Sequence, residues 1–131
     1  MKYAYLLVLV LSLAACSTGG EKQLASDCAK INALINKPIT VDFDEATFAA
    51  QVRALQPAVD DKRLDEQLGI VADHWDLVAR RKGVTLTAED LQKSMDEGDR
   101  AIKANDEITR ICKKVGPWNV NRRPTSSSSS G

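Results

Sequence analysis

Apolar residues recur at steps of three and four along most of this chain, the spacing that lines one face of an α-helix. Over residues 21 to 36 the stripe is Leu24, Cys28, Ile31 and Ile35. Pro38 and the β-branched run Ile39-Thr40-Val41 stop it and predict a short extended link, because a proline pushes the residue before it out of helical geometry. A second helix over 45 to 56 carries a better start signal. Asp44 is a favoured N-cap, and Phe43 before it pairs with Phe48 inside the helix as a hydrophobic staple. Gln56-Pro57 ends or kinks this helix, since proline brings no N–H to the ladder.

The third helix has the most regular seam: Leu64, Leu68, Val71, Trp75 and Val78 alternate steps of four and three. Arg80, Arg81 and Lys82 then meet the negative end of the helix dipole, and Gly83 supplies a left-handed terminator. Thr87 caps a fourth helix reaching about residue 115, with Asp90 at the capping-box position and Leu86 facing Leu91 as a second staple. Its expected buried face is Leu91, Met95, Ala101, Ile102, Ile108, Ile111, Cys112 and Val115. Gly98 allows either a close helix approach or a local weak point, and Gly116-Pro117 closes the helix. Connections such as Asn36 to Asp44 and Gly83 to Leu86 are short enough to favour antiparallel neighbours. The pattern predicts an all-α fold, a small three- or four-helix bundle over residues 22 to 116. Residues 117 to 131, with Arg122-Arg123-Pro124-Thr125 and five serines, read as a disordered basic and serine-rich tail.

The first sixteen residues are patterned differently. Met1-Lys2 supplies one positive charge, and Tyr3 through Leu13 is apolar apart from Ser12. That run falls short of the roughly 20 residues a membrane-spanning helix needs and matches the 7–15 or so of a secretory h-region. It ends in Leu13-Ala14-Ala15-Cys16, which resembles the lipobox of bacterial lipoprotein precursors. The resemblance covers residues 1 to 16. It implies that residues 1–15 are a cleaved signal peptide and that Cys16 becomes the lipidated N-terminus, bearing diacylglycerol and an N-acyl chain such as palmitate. Two or more chains convert marginal membrane binding into stable anchoring. The expected location is the bacterial cell envelope, outside the cytoplasm and held to the membrane by lipid. Residues 16–21, including Ser17-Thr18-Gly19-Gly20, then read as a flexible lipidated tether.

With Cys16 carrying lipid, Cys28 and Cys112 remain as a pair in a compartment where disulfides persist. Their bridge would join the first and last helices and stabilise the fold by roughly 4–5 kcal/mol through the unfolded chain's lost entropy. Metal ligation by Cys28, Cys112 and His74 lacks close ligand spacing, and a pair of free thiols is the other alternative.

Composition narrows the partners. Removing residues 1–15 leaves 17 basic and 18 acidic residues, so no global field argues for nucleic acid or an acidic substrate. Few aromatic, glycine and proline residues favour helices over a β-sandwich. His74, the one histidine, sits beside Asp73 and Asp76, but neighbours one and two apart on a helix do not face each other, so it reads as a surface residue. An enzyme would need His74 to meet Asp73 or Glu107 in a cleft. The chain carries no nucleophile elbow, phosphate loop, His-Glu-x-x-His or Cys-x-x-Cys. Asp96, Glu97 and Asp99 lack the spacing of a calcium loop, and Trp75 lies on the core seam. No catalytic residue, metal site or non-covalent cofactor is expected.

One cluster stands apart. Arg110, Lys113, Lys114, Arg122 and Arg123 lie in a stretch without acids, and the Cys28–Cys112 bridge would bring it toward the anchored end, where basic side chains face an anionic membrane. The alternative is that Lys113 and Lys114 complement the helix dipole and the tail is inert. Trp118 reads either as an interfacial anchor or as a cap on the core. The expected function is a non-enzymatic, membrane-anchored binding module meeting an envelope protein, glycan or lipid: an assembly factor, inhibitor, immunity or superinfection-exclusion protein. The second expectation is a carrier of lipid or a small apolar ligand, marked by a sizeable enclosed cavity.

Overall fold

Capping side chains set the starts of three of the four α-helices. The computed structural model describes residues 4–37, 40 and 42–120, with side chains from residue 20 onward. It contains α1 (Ala4–Ile35), α2 (Glu45–Leu55), a 3₁₀ turn (Gln56–Ala58), α3 (Lys62–Arg81) and α4 (Ala88–Cys112), with no strand among the described residues. Asp44 accepts the Thr47 N–H at 2.9 Å to open α2, and the Phe43 and Phe48 rings lie 5.8 Å apart, closing the expected staple. Asp61 opens α3 by accepting the N–H groups of Arg63 and Leu64. At α4, Thr87 and Asp90 form the reciprocal capping box. Gly83, at φ +75°, makes the left-handed turn after α3.

α1 differs from the expected helix over 21 to 36. It runs unbroken from Ala4, and the Ser17-Thr18-Gly19-Gly20 stretch expected to be flexible is helical. Glycine costs a helix about 1 kcal/mol, but extending a helix through a few poor formers is far easier than nucleating a new one. Among the described residues, no helix is long and apolar enough to cross a membrane. The side chain of Cys16, the expected lipidation site, lies outside the described residues.

One core joins all four helices. Ile31 and Leu34, Val52, Leu64, Leu68, Val71 and Ala72, and Ala104, Ile108 and Ile111 pack together, with Trp75, Phe48 and Trp118 against their edge. Gln56 at the end of α2 bonds to Asp65 near the start of α3, while Lys82 after α3 reaches Glu45 at the start of α2. The two helices therefore run antiparallel. Arg53 in the last turn of α2 bonds Asp73 at 2.9 Å and also Asp76, tying it to the second half of α3. α3 and α4 pair similarly, with Arg81 against Asp90 and His74 against Gly98. Cys28 and Cys112 are disulfide-bonded with their Cα atoms 5.4 Å apart, joining α1 to α4.

The expected buried face of α4 is partly wrong. Ala101, Ile108, Ile111 and Cys112 are buried, but Leu91, Met95 and Ile102 are 53%, 58% and 60% exposed. Cys112 meets Cys28, and Asn105 and Thr109 share a groove with Ile35 at the end of α1. Continuing that face of α4 by steps of three and four gives Ile102, Gly98, Met95 and Leu91. These residues extend the α1-facing seam past the point where α1 stops. Leu91 is consequently left largely in solvent, instead of completing a buried staple with Leu86.

Candidate functional site

The disulfide end of the molecule is held by a group that the hydrophobic pattern does not reveal. Asp27 on α1 is fully buried, and its Oδ2 accepts the backbone N–H groups of Asp60 and Asp61 at 3.0 and 3.1 Å, just before α3. Its Oδ1 accepts from Gln23 at 3.2 Å, and Lys30 stands 3.9 Å away while donating to the Ala58 carbonyl. A buried carboxylate is tolerated because these donors replace its lost water. Asp27 thus ties α1 to the α2–α3 connection one residue from the disulfide.

The expected basic cluster sits partly at this same end. Lys113 and Lys114 follow Cys112, are exposed and make no ion pair among the described residues. Arg110 is instead clamped to Glu107, three residues earlier, at 2.5 Å, which raises its pKa and lowers that of the carboxylate. Arg122 and Arg123 lie outside the described residues. Residues 117–120, included in the expected tail, fold back along α1. The Asn119 carbonyl accepts from Asn32 and Asn36 at 3.0 and 2.7 Å, and Trp118 packs against the core. Its burial of apolar area fixes this segment, so Trp118 caps the core. Val120, the last of the described residues, lines a groove with Asp106 and Thr109.

His74 is not the surface residue expected from its charged neighbours. It is half-buried between α3 and α4, its Nδ1 is buried without a hydrogen-bond partner, and its ring lies 5.6 Å from that of Trp75. Burial pushes the imidazole pKa below its ordinary value, with the Glu97 charge opposing. Asp73 is engaged by Arg53 and Glu107 by Arg110, so neither comes together with His74 as an acid/base pair. Among the described residues, no group of three or more His, Cys, Asp or Glu side chains is placed to hold a metal.

The remaining surface feature is the α4 seam. Leu91, Met95 and Ile102 line it, with Gly98 between them. At one end lies a groove of about 220 Å³ lined by Ile35, Asn105, Asp106, Thr109, Trp118 and Val120. Near the α3–α4 connection, Leu77, Val78, Leu86 and His74 line a second open groove of about 270 Å³, with Arg81, Lys82 and Ser94 on its walls. Where the four helices converge, the space among Ile31, Leu34, Val52, Leu68 and Ile108 is only about 10 Å³.

Among the described residues, these features define an all-helical, disulfide-linked protein with little space where its four helices converge and an exposed apolar face on α4. Comparison with known protein families, characterised proteins and solved structures finds no match.

Proposed function

We propose that this chain is a lipid-anchored lipoprotein of the bacterial cell envelope, an up-down-up-down helical bundle that acts as a non-enzymatic binding module through the outer face of α4. The observation that carries the binding reading is the seam of Leu91, Met95 and Ile102, each more than half exposed and aligned over three helical turns. Single exposed apolar residues are ordinary, whereas an aligned set on one face marks a surface that meets another molecule. A void of about 10 Å³ is no larger than one water requires, so the interior favours a binding face over a carrier's ligand chamber.

The anchor rests on Leu13-Ala14-Ala15-Cys16, and the disulfide supplies its orientation. On this reading α1 runs from the anchor toward Cys28, and Lys113 and Lys114, which follow the Cys112 bonded to it, face the same membrane. Near an anionic surface each lysine contributes about 1 kcal/mol, falling with salt. Crosslinking in the intact envelope before solubilisation tests the binding reading: a specific partner is expected to be captured by the native chain and lost with Ile102→Gln. Capture that ignores this substitution would refute the α4 face. Labelled palmitate incorporation that persists in Cys16→Ser would refute the anchor, and co-sedimentation with liposomes that ignores anionic lipid would refute the lysine contacts.

A further inference from the structure

We infer that the uncovered seam of α4 receives an amphipathic helix with a basic flank, lying along the line that α1 would follow if it continued past Ile35. The inference rests on the binding reading above and adds the chemistry of the partner. Its geometrical basis is continuity with an existing helix–helix contact. Cys112, Thr109 and Asn105 lie on the part of α4 that meets α1, and Ile102, Gly98, Met95 and Leu91 continue the same three-four repeat. Along its other half the seam meets α1 at the Cys28–Cys112 bridge and faces Ile35 across the groove it shares with Trp118 and Val120, so a helix in line with α1 continues that contact.

Local detail supports the same occupant. A Cβ added at Gly98 would meet only the edge of the His74 ring, at 3.8 Å, so the glycine leaves a notch between Met95 and Ile102 for a side chain of the facing helix. The groove of about 220 Å³ beyond Ile102 gives an apolar anchor residue somewhere to insert, with Trp118, Ile35 and Val120 as its walls.

Charge selects the flank. Asp99 and Asp106 each follow a seam position, Gly98 and Asn105, and both are exposed without an ion pair among the described residues. Asp96, bonded to Gln92, adds a third carboxylate farther round, against Lys103 between them, while Arg110 is held by Glu107 and Lys113 lies past the end of α4. On the other side of the seam Ala101 is buried in the fold and half-buried Ser94 bonds the Asp90 carbonyl, so neither supplies a cation. A second copy, in the parallel orientation imposed by a shared membrane, would bring only half-buried Ser94 from that side toward these carboxylates and offer them no cation. A helix with lysine or arginine beside its apolar stripe pairs with them, fixing its direction and speeding encounter.

The test uses the full chain in a non-ionic detergent and a synthetic amphipathic helix of about 18 residues, long enough to cover the seam. One version of the peptide has leucine seam positions flanked by lysine, and the other replaces each lysine with glutamate. Backbone NMR shifts are expected to concentrate at Leu91, Met95, Gly98, Ile102 and Asp106, with the lysine peptide binding about tenfold more tightly at low salt. Asp99→Asn with Asp106→Asn is expected to erase that preference, and Ile102→Gln to weaken both peptides. Equal binding of the two peptides at the seam would overturn the basic-flank inference while leaving the binding face standing. No shift with either peptide at about 1 mM would overturn the helix itself as occupant. Concentration-dependent shifts in the chain alone would make the occupant a second copy. Binding only after deletion of residues 121–131 would make it this chain's own Arg122-Arg123 segment. Either result overturns an external basic helix.

Discussion

Replacing Asp27 is expected to reveal how much of the fold depends on one buried carboxylate. In Asp27→Ala, the N–H groups of Asp60 and Asp61 lose their acceptor and Gln23 loses its partner. Hydrogen bonds to a charged group are worth about 1.5–3 kcal/mol each, and removing a buried charge returns part of that by relieving its desolvation. Asp60 is exposed, so water can reach part of the vacated site. The expected net loss is about 2–4 kcal/mol, or roughly 10–25 °C in Tm for a domain of this size. Asp27→Asn keeps the shape: its Oδ1 can accept from Asp60 and Asp61 while its amide turns toward a reoriented Gln23. The expected cost is nearer 1 kcal/mol, the difference between charged and neutral acceptors. Thermal and urea unfolding followed by helical circular dichroism, with the disulfide intact, gives both values. An alanine variant within about 0.5 kcal/mol of the parent would refute the tie between α1 and the α2–α3 connection. Asparagine as damaging as alanine would refute the geometric reasoning.

Three further outcomes follow from the structure. The Cys28–Cys112 bridge spans 84 positions, so Cys28→Ala with Cys112→Ala should cost about 4–5 kcal/mol in urea unfolding; a loss below about 1 kcal/mol would show that packing alone holds α1 to α4. Gly83→Ala should cost about 1 kcal/mol because of the positive φ, since its Cβ would have open space; a neutral result in thermal melts would refute the left-handed turn. The folded His74 pKa is depressed, first by burial, with Glu97 opposing, whereas the unfolded value is about 6.5. Below that pH the unfolded chain binds the proton more readily, so His74 subtracts stability as pH falls from about 6.5 to its folded pKa and contributes no slope above. Between pH 7 and 5, His74→Leu should show a smaller loss of stability than the parent, and parallel curves would refute the effect of burial.

Local signals made much of this protein legible. Asp44 with Phe43 and Phe48, Thr87 with Asp90, and Gly83 act within a few residues of themselves, and each does in the structure what its local chemistry predicts. The α3 seam was readable because Leu64, Leu68 and Val71 are all buried on one face. Periodicity failed on α4. It reports that Leu91, Met95 and Ile102 are apolar and aligned, but burial also requires a neighbour, and α1 ends too soon to provide one. The readings of His74 and the basic cluster missed partners from outside their own sequence neighbourhood or rotated beyond immediate neighbours. Gly98 approaches His74 from another helix, while Glu107 clamps Arg110 one turn away.

The sequence by itself determined the starts of α2 and α4, the all-helical class and the pairing of Cys28 with Cys112, because these follow from short-range chemistry and from counting thiols once Cys16 is set aside. Only the tertiary structure decided that Asp27 is a buried acceptor, that Trp118 folds back onto the core and that one half of the α4 seam is left uncovered. Those outcomes depend on where one helix ends relative to another, a quantity that no local spacing encodes.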